Sequence, residues 1–208
     1  MSDTVILRPA TPNDINALAR LWVVTFPDKF GPTLGDKAER IICDWLRLSE
    51  RHLETTTVAE IKSTVAGYII LETPSSPNPD NGRWLWHAIQ LHNGIFGALR
   101  SFILMVLIND NRRHDSDEVY IEMLGVAPAW RGGGVAATLL SHAEAVAREE
   151  AVAKLTLTVV SDNEAAITLY KKFGFEATQT KQNSILKMHL QAKARQTVVT
   201  YTLQTWQT

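Results

Sequence analysis

"GVAPAWRGGGVAATLL", residues Gly125 to Leu140, sets three successive glycines, Gly132 to Gly134, between a basic side chain and the start of an apolar helical pattern. The chain holds only 11 glycines. Glycine loses more backbone freedom on folding than any other residue, so a run of three needs a local reason. Upstream, "EVYIEMLGV" from Glu118 to Val126 reads as a strand; downstream, Ala136, Leu139, Leu140, Ala143, Val146 and Ala147 recur at helical spacing. The run therefore marks a strand-to-helix junction, where unpaired N–H groups and the positive end of the helix dipole favour an anion. Glycines let a phosphate come close to those groups, and Arg131 can add a charge-assisted contact. By itself such a junction is either a phosphate cradle or a tight turn. A P-loop would need Lys and then Ser or Thr after its second glycine, and a dinucleotide fold would need spaced glycines in an early βαβ unit. "RGGGVAAT" supplies neither.

Around the junction the pattern alternates between strands and helices. "VILRP" reads as a strand, and Thr11, Pro12 and Asp14 announce a helix whose apolar face is Ile15, Leu18, Ala19, Trp22 and Phe26, ended by Pro27. A second helix carries Ile41, Ile42, Trp45, Leu46 and Leu48, and strands at Thr57 to Glu60 and Val65 to Leu71 are joined as a hairpin near "IKST". "TPSSPNPDNGR" is a surface loop, and Gly94 to Asn109 a packed helix, too short at sixteen residues for the ~20 that cross a bilayer. "KLTLTVV" alternates as a strand. "SDNEAAITLYKKFGF" is a helix with Ser161 and Glu164 as a capping box and Gly174 as its stop. The remainder through "SILKMHL" forms one or two closing strands, and "TVVTYTLQTWQT" is an added strand, a subunit contact of a homodimer, or a frayed end.

Composition narrows the class. With 208 residues, 45% hydrophobic and 21% charged, the chain can bury one large core. Its 21 basic and 22 acidic residues give no electrostatic footprint for nucleic acid or an anionic membrane. Cys43 is the single cysteine and sits among Ile41, Ile42, Trp45 and Leu46, which reads as a packed thiol rather than a nucleophile. With no intrachain disulfide to form and no secretion leader at "MSDTVILRPATPND", the expected setting is cytoplasmic. His87, His92, His114, His142 and His189 lack ligand spacing, so no metal site is expected.

"RGGGVA" places Arg131, Gly134 and Ala136 on the fixed positions of the pattern Arg or Gln, any, any, Gly, any, Gly or Ala. It resembles the acyl-CoA pyrophosphate loop of the GCN5-related N-acetyltransferase (GNAT) family. "LGVAPAW" before it and "NEAAITLYKKFGF" after it are similar to that family's neighbouring elements, in order and spacing, over Tyr120 to Phe175. The resemblance implies an α/β fold, α+β in some schemes: a single mixed, mostly antiparallel central sheet flanked by helices. It implies one N-acetyltransferase domain over residues 1–191, with a helical insertion at about 73–117 and a C-terminal extension over 192–208. It further implies acetyl-CoA as cosubstrate, no metal, and a primary amine of a small molecule or a peptide as acceptor. Main-chain groups of Leu124, Gly125 and Val126 would pair with the pantetheine arm. The N–H groups of Gly132, Gly133, Gly134, Val135, Ala136 and Ala137 would hold the pyrophosphate, and the Asn163 amide would touch the cofactor. Read without the resemblance, Asn163 is a polar residue in the first turn of a helix.

Acetyl transfer to an amine needs a neutral nucleophile, a stabilised oxyanion and a proton for the departing thiolate. By resemblance, an N–H of the Leu124 region polarises the carbonyl and Tyr170, seven residues after Asn163, is the general acid; the alternative is a phenol packed with Ala166 and Phe173. Some family members carry a glutamate where this chain has Thr158, which cannot act as base. Glu122 is the alternative, on the same strand face as Leu124 and Val126, as a base, a water relay, an ammonium ligand or a solvated carboxylate. Glu72 and Glu118 are weaker choices. Trp84, Trp86, His87 and His92 either shape an amine pocket or belong to the core. The expected function is direct transfer in a ternary complex, and the competing one a non-catalytic acyl-CoA sensor. Tyr170 with Glu122 favours the enzyme.

Overall fold

The computed structural model describes residues 4–76, 82–108, 117–182 and 197–204. Its elements in order are β1 (Ile6–Pro9), α1 (Ile15–Thr25), α2 (Pro27–Leu34), α3 (Ala38–Leu48), α4 (Glu50–Glu54), β2 (Thr56–Ile61), β3 (Thr64–Glu72), α5 (Arg83–Ile108), β4 (Glu118–Val126), α6 (Val135–Glu149), β5 (Lys154–Val160), α7 (Glu164–Phe173), β6 (Glu176–Gln182) and β7 (Thr197–Gln204). The chain divides into two compact units, one of Met1–Ile70, Asn78–Asp110 and Met123–Leu139, the other of Leu71–Pro77, Asn111–Glu122 and Leu140–Thr208. β4 contributes to both.

In the first unit the strand order is β1-β2-β3-β4, with β1 antiparallel to β2 and β2 to β3. The hairpin expected near "IKST" turns at Lys62 and Ser63, both at positive φ (49° and 61°). That is the backbone a two-residue turn needs to follow the strand twist. The helix faces expected from spacing are the faces that pack: Leu18, Ala19 and Trp22 of α1, and Ile41, Ile42 and Leu46 of α3, are sealed against Val58, Tyr68 and Ile70 of the sheet. Each fully buried aliphatic side chain contributes roughly 2 kcal/mol. Trp22 is ringed by Phe30, Trp45, His52 and Tyr68 with centroids 5.5–6.3 Å away. Pro27 ends α1 and opens α2. The helix expected over Gly94 to Asn109 is the second part of α5, which starts earlier, at Arg83, and is broken at Gly94 (φ 65°, ψ 179°). No helix among the described residues is long and apolar enough to cross a membrane.

The entry to α1 is pinned electrostatically. Both the N–H and the hydroxyl of Thr11 donate to Asp14 Oδ2 (2.8 Å each), and Arg8 donates to both Asp14 oxygens (2.8 and 2.9 Å) and to Glu60 (2.8 Å). The guanidinium first, with the Thr11 donors behind it, holds the Asp14 carboxyl down at about 2.

In the second unit the order is β4-β5-β7-β6. β4 and β5 run parallel from Glu118↔Lys154 to Ile121↔Leu157, and the pairs β5–β7 and β7–β6 are antiparallel. The tail is thus an inner strand, β7, seated between β5 and β6. The segment Ser184–Leu190, expected to continue the closing strands, lies outside the described residues. One local expectation is corrected: α7 is capped by Asn163, whose Oδ1 accepts from the Ala166 N–H (3.2 Å), not by a Ser161–Glu164 box. The helix starts at Glu164, and only the residue directly before it can reach the unpaired N–H groups of the first turn. Gly174 ends α7 at φ 105°, as expected.

Candidate active site

The glycine junction lies wholly in the first unit. β4 ends at Val126, a 3-10 turn spans Pro128–Trp130, and α6 begins at Val135. Gly132 and Gly134 take φ values of 78° and 85°, which L side chains rarely adopt, whereas Gly133 does not. A Cβ on Gly132 or Gly134 would meet nothing within 4 Å, so space above these two peptides is open. The Thr138 N–H bonds back to Gly134 O (3.0 Å) and closes the first turn of α6. The N–H groups of Val135, Ala136 and Ala137 precede that bond and point out of the helix start. Gly133 N–H makes a long contact to Trp130 O (3.4 Å). This arrangement fits a diphosphate: backbone donors in an array, room for bulky oxygens, and the positive end of a 15-residue helix.

Arg131 sits less simply than its charge suggests. Its Nε donates to Val126 O (3.2 Å), tying the loop to the end of β4. Ala127 N–H donates to Ala66 O (2.8 Å), so the β4 end is held from β3 as well. Along β4, Glu122, Leu124 and Val126 are half-buried while Met123 and Gly125 are buried, the alternation expected of them.

The second unit holds the other predicted residues. Tyr170 is 8% exposed, edge-on to Phe175 (5.8 Å), and burial pushes its phenol up to about 12, with Tyr120 adding a smaller push. Tyr120 shares a hydrogen bond with Thr158 (2.8 Å), the residue that stands here in place of a glutamate. Asn163 spends its carbonyl oxygen on the α7 cap, leaving its NH2 group as the donor it can offer a ligand. Glu118 is buried and accepts from Thr156 (2.8 Å), which marks it as structural.

Most of the remaining chemistry-bearing side chains have packing or ion-pair partners. Cys43 is buried, its thiol pushed up by burial, 3.5 Å from Asn16 Oδ1. His92 pairs with Asp44 (2.8 Å), Trp86 packs on the core, and Trp84 lies against the Arg83 guanidinium (4.8 Å), while His87 is exposed. His114 and His189 lie outside the described residues. No group of three His, Cys, Asp or Glu that could hold a metal occurs among the described residues. Two neighbours of the β4 end escaped the sequence reading. Tyr68, hydrogen-bonded to Thr25 (3.2 Å), abuts Gly125, and Gly67 abuts both Gly125 and α6. For Gly67 a signal existed, an isolated glycine inside a strand pattern, which marks close approach.

Residues 15–175 match the model of the Acetyltransferase (GNAT) family. The chain belongs to this family. Streptothricin acetyltransferase of Streptomyces lavendulae is 30% identical over 140 residues, 58% of this chain and 69% of that protein. The uncharacterized N-acetyltransferase YdgE of Bacillus subtilis is 34% identical over 73 residues, 35% of this chain; the match spans less than half, 46%, of that relative. Among solved structures, an N-acetyltransferase from Staphylococcus aureus Mu50 superposes with a TM-score of 0.70 at 21% identity, covering 95% of this chain and 100% of that one. The Salmonella typhimurium protein yncA, solved with its cofactor acetyl-CoA, gives 0.60 at 17% identity, covering 98% and 95%. The mixed, mostly antiparallel sheet with flanking helices is the GNAT fold.

Proposed function

We propose that this chain transfers the acetyl group of acetyl-CoA to a primary amine by direct attack in a ternary complex. The observation that carries the reading is the Arg131–Ala137 junction: two glycines at positive φ, open space above them and the donor array of α6, in a chain of the GNAT family. Acetyl-CoA would supply an acetyl group activated as a thioester. The N–H groups of Gly132, Gly133, Gly134, Val135, Ala136 and Ala137 hold its pyrophosphate, with Arg131 as a side-chain counter-charge. Main-chain groups of Leu124, Gly125 and Val126 take the pantetheine arm, and the Leu124 N–H stabilises the developing oxyanion. Asn163 donates its amide hydrogens to the cofactor. Glu122 accepts the proton that the amine loses as its nitrogen bonds to the acyl carbon. Tyr170 gives its proton to the sulfur as the C–S bond breaks.

The buried, unactivated Cys43 thiol supports direct transfer over an acyl-enzyme. Streptothricin acetyltransferase makes small amines the first acceptors to try, ahead of peptides. The cytoplasmic setting expected from the sequence belongs to the same proposal. The test mixes protein, acetyl-CoA and a panel of amines, aminoglycosides and peptides, and follows free thiol. Acetyl-CoA should raise the melting temperature and be consumed with at least one acceptor. A protein that binds acetyl-CoA and consumes it with none is a sensor, and one that does neither removes the reading.

A further inference from the structure

A methyl group built on Gly67 of β3 would stand 2.9 Å from the Gly125 carbonyl oxygen, 3.0 Å from Val135 Cγ1 and 3.3 Å from Leu139 Cδ1. Real Cβ atoms almost never come that close to backbone, so this point admits only glycine without something moving. What would move is informative. Gly125 belongs to the strand end assigned to pantetheine, and Val135 is the first residue of the helix assigned to the pyrophosphate. Val135 and Leu139 are sealed, at 1% and 0% exposure, so the helix start rests on the sheet through these two side chains. Gly125 has no slack in which to retreat. A Cβ on it would fall 2.5 Å from Tyr68 Cε1 and 2.9 Å from Thr25 Oγ1, and Tyr68 is itself fully buried with its hydroxyl on Thr25.

We propose that Gly67 is a positioning residue for the donor site, setting the spacing between the β4 end and the first turn of α6 so that one CoA molecule spans both. The inference rests on the acetyl-CoA reading above and adds a residue that touches no substrate. In a close-packed interior a misfit is passed on to neighbours and not absorbed, so a methyl at 67 shifts the two halves of the cradle relative to each other.

The test begins with wild-type protein and CoA in a calorimeter. If wild type binds no CoA, the acetyl-CoA reading has failed and takes this inference with it. If it binds, Gly67→Ala should unfold cooperatively yet bind CoA about tenfold more weakly, a loss within the strain that one extra methyl puts on a packed core. KM for acetyl-CoA should rise by the same factor, while kcat at saturation and the acceptor KM stay within about twofold, the pattern of lost ground-state binding. Ile41→Val, a core change of similar expected cost in a helix away from the cradle, should leave KM for acetyl-CoA unchanged. A folded Gly67→Ala with wild-type CoA affinity overturns the proposal, and so does an equal KM rise in Ile41→Val. Should Gly67→Ala fail to fold, the test passes to Gly67→Ala with Val135→Ala, which clears the Cγ1 contact and keeps the Gly125 one. Weaker CoA binding than in Val135→Ala alone supports the proposal, and equal binding sinks it.

Discussion

Tyr170→Phe separates the acid role from a packing role, because the same burial makes two measurable predictions. The phenol is pushed up to about 12, with burial as the first cause. Below pH 10 it is protonated whether the chain is folded or not, so it contributes nothing pH-dependent there. Above pH 10 the unfolded phenol ionises and the folded one does not, so stability is lost as pH rises through 12. The full loss is about 3 kcal/mol for two units, and about 1 kcal/mol of it falls between pH 9 and 11. Urea unfolding of wild type should therefore weaken over that interval by about 1 kcal/mol more than unfolding of Tyr170→Phe. Turnover is the second readout. A general acid contributes about 10²- to 10⁴-fold, so Tyr170→Phe should lower kcat by at least about a hundredfold while CoA affinity is kept. Parallel alkaline unfolding curves would refute the burial argument. A clear alkaline difference with kcat within about threefold of wild type would leave Tyr170 a core phenol and remove it from the mechanism.

Asp14→Asn should cost about 2 kcal/mol at neutral pH, from a carboxyl held at about 2 against an ordinary 3.8 and 7% exposed as a side chain. That stability is present above pH 4 and lost as pH falls through 2, so acid denaturation should be shallower in the variant; identical curves would show the Arg8 pair to be unimportant. Gly134→Ala, at φ 85° with open space around it, should lose about 1 kcal/mol through torsion alone and raise KM for acetyl-CoA, whereas Gly133→Ala should unfold like wild type. Thermal melts and acetyl-CoA titrations of the two variants check the contrast.

What the sequence disclosed depended on the range over which each feature is decided. The junction was legible because its demands are local: positive φ at Gly132 and Gly134 and exposed N–H groups at a helix start are met within ten residues. Helix faces such as Ile41, Ile42 and Leu46 were legible for the same reason, since their spacing is the spacing of contacts. The α7 cap is not legible locally, because Ser161 and Glu164 have box spacing and spacing cannot say which residue the first turn starts after. The place of β7 was hidden entirely. Its strand composition was visible, but insertion between β5 and β6 is a choice among distant partners that leaves no mark in its own residues. Gly67 lay between these cases, with a local oddity whose cause was 58 residues away at Gly125.

The buried Cys43 thiol and Tyr170 phenol also bear on where any pH dependence of acetyl transfer would arise. Cys43 is held as a thiol and hydrogen-bonded to Asn16, so an acyl-enzyme would require a nucleophile that its surroundings suppress. In the proposed direct transfer the acceptor itself attacks, and an alkyl amine with a reference value near 10 is overwhelmingly ammonium at neutral pH. Turnover under subsaturating acceptor should rise with pH as the neutral amine accumulates. Tyr170, at about 12, stays protonated throughout that rise and cannot produce a falling limb below pH 10. A descending limb near pH 8 would thus have to come from another group, and its persistence in Tyr170→Phe would confirm that the phenol is not its source.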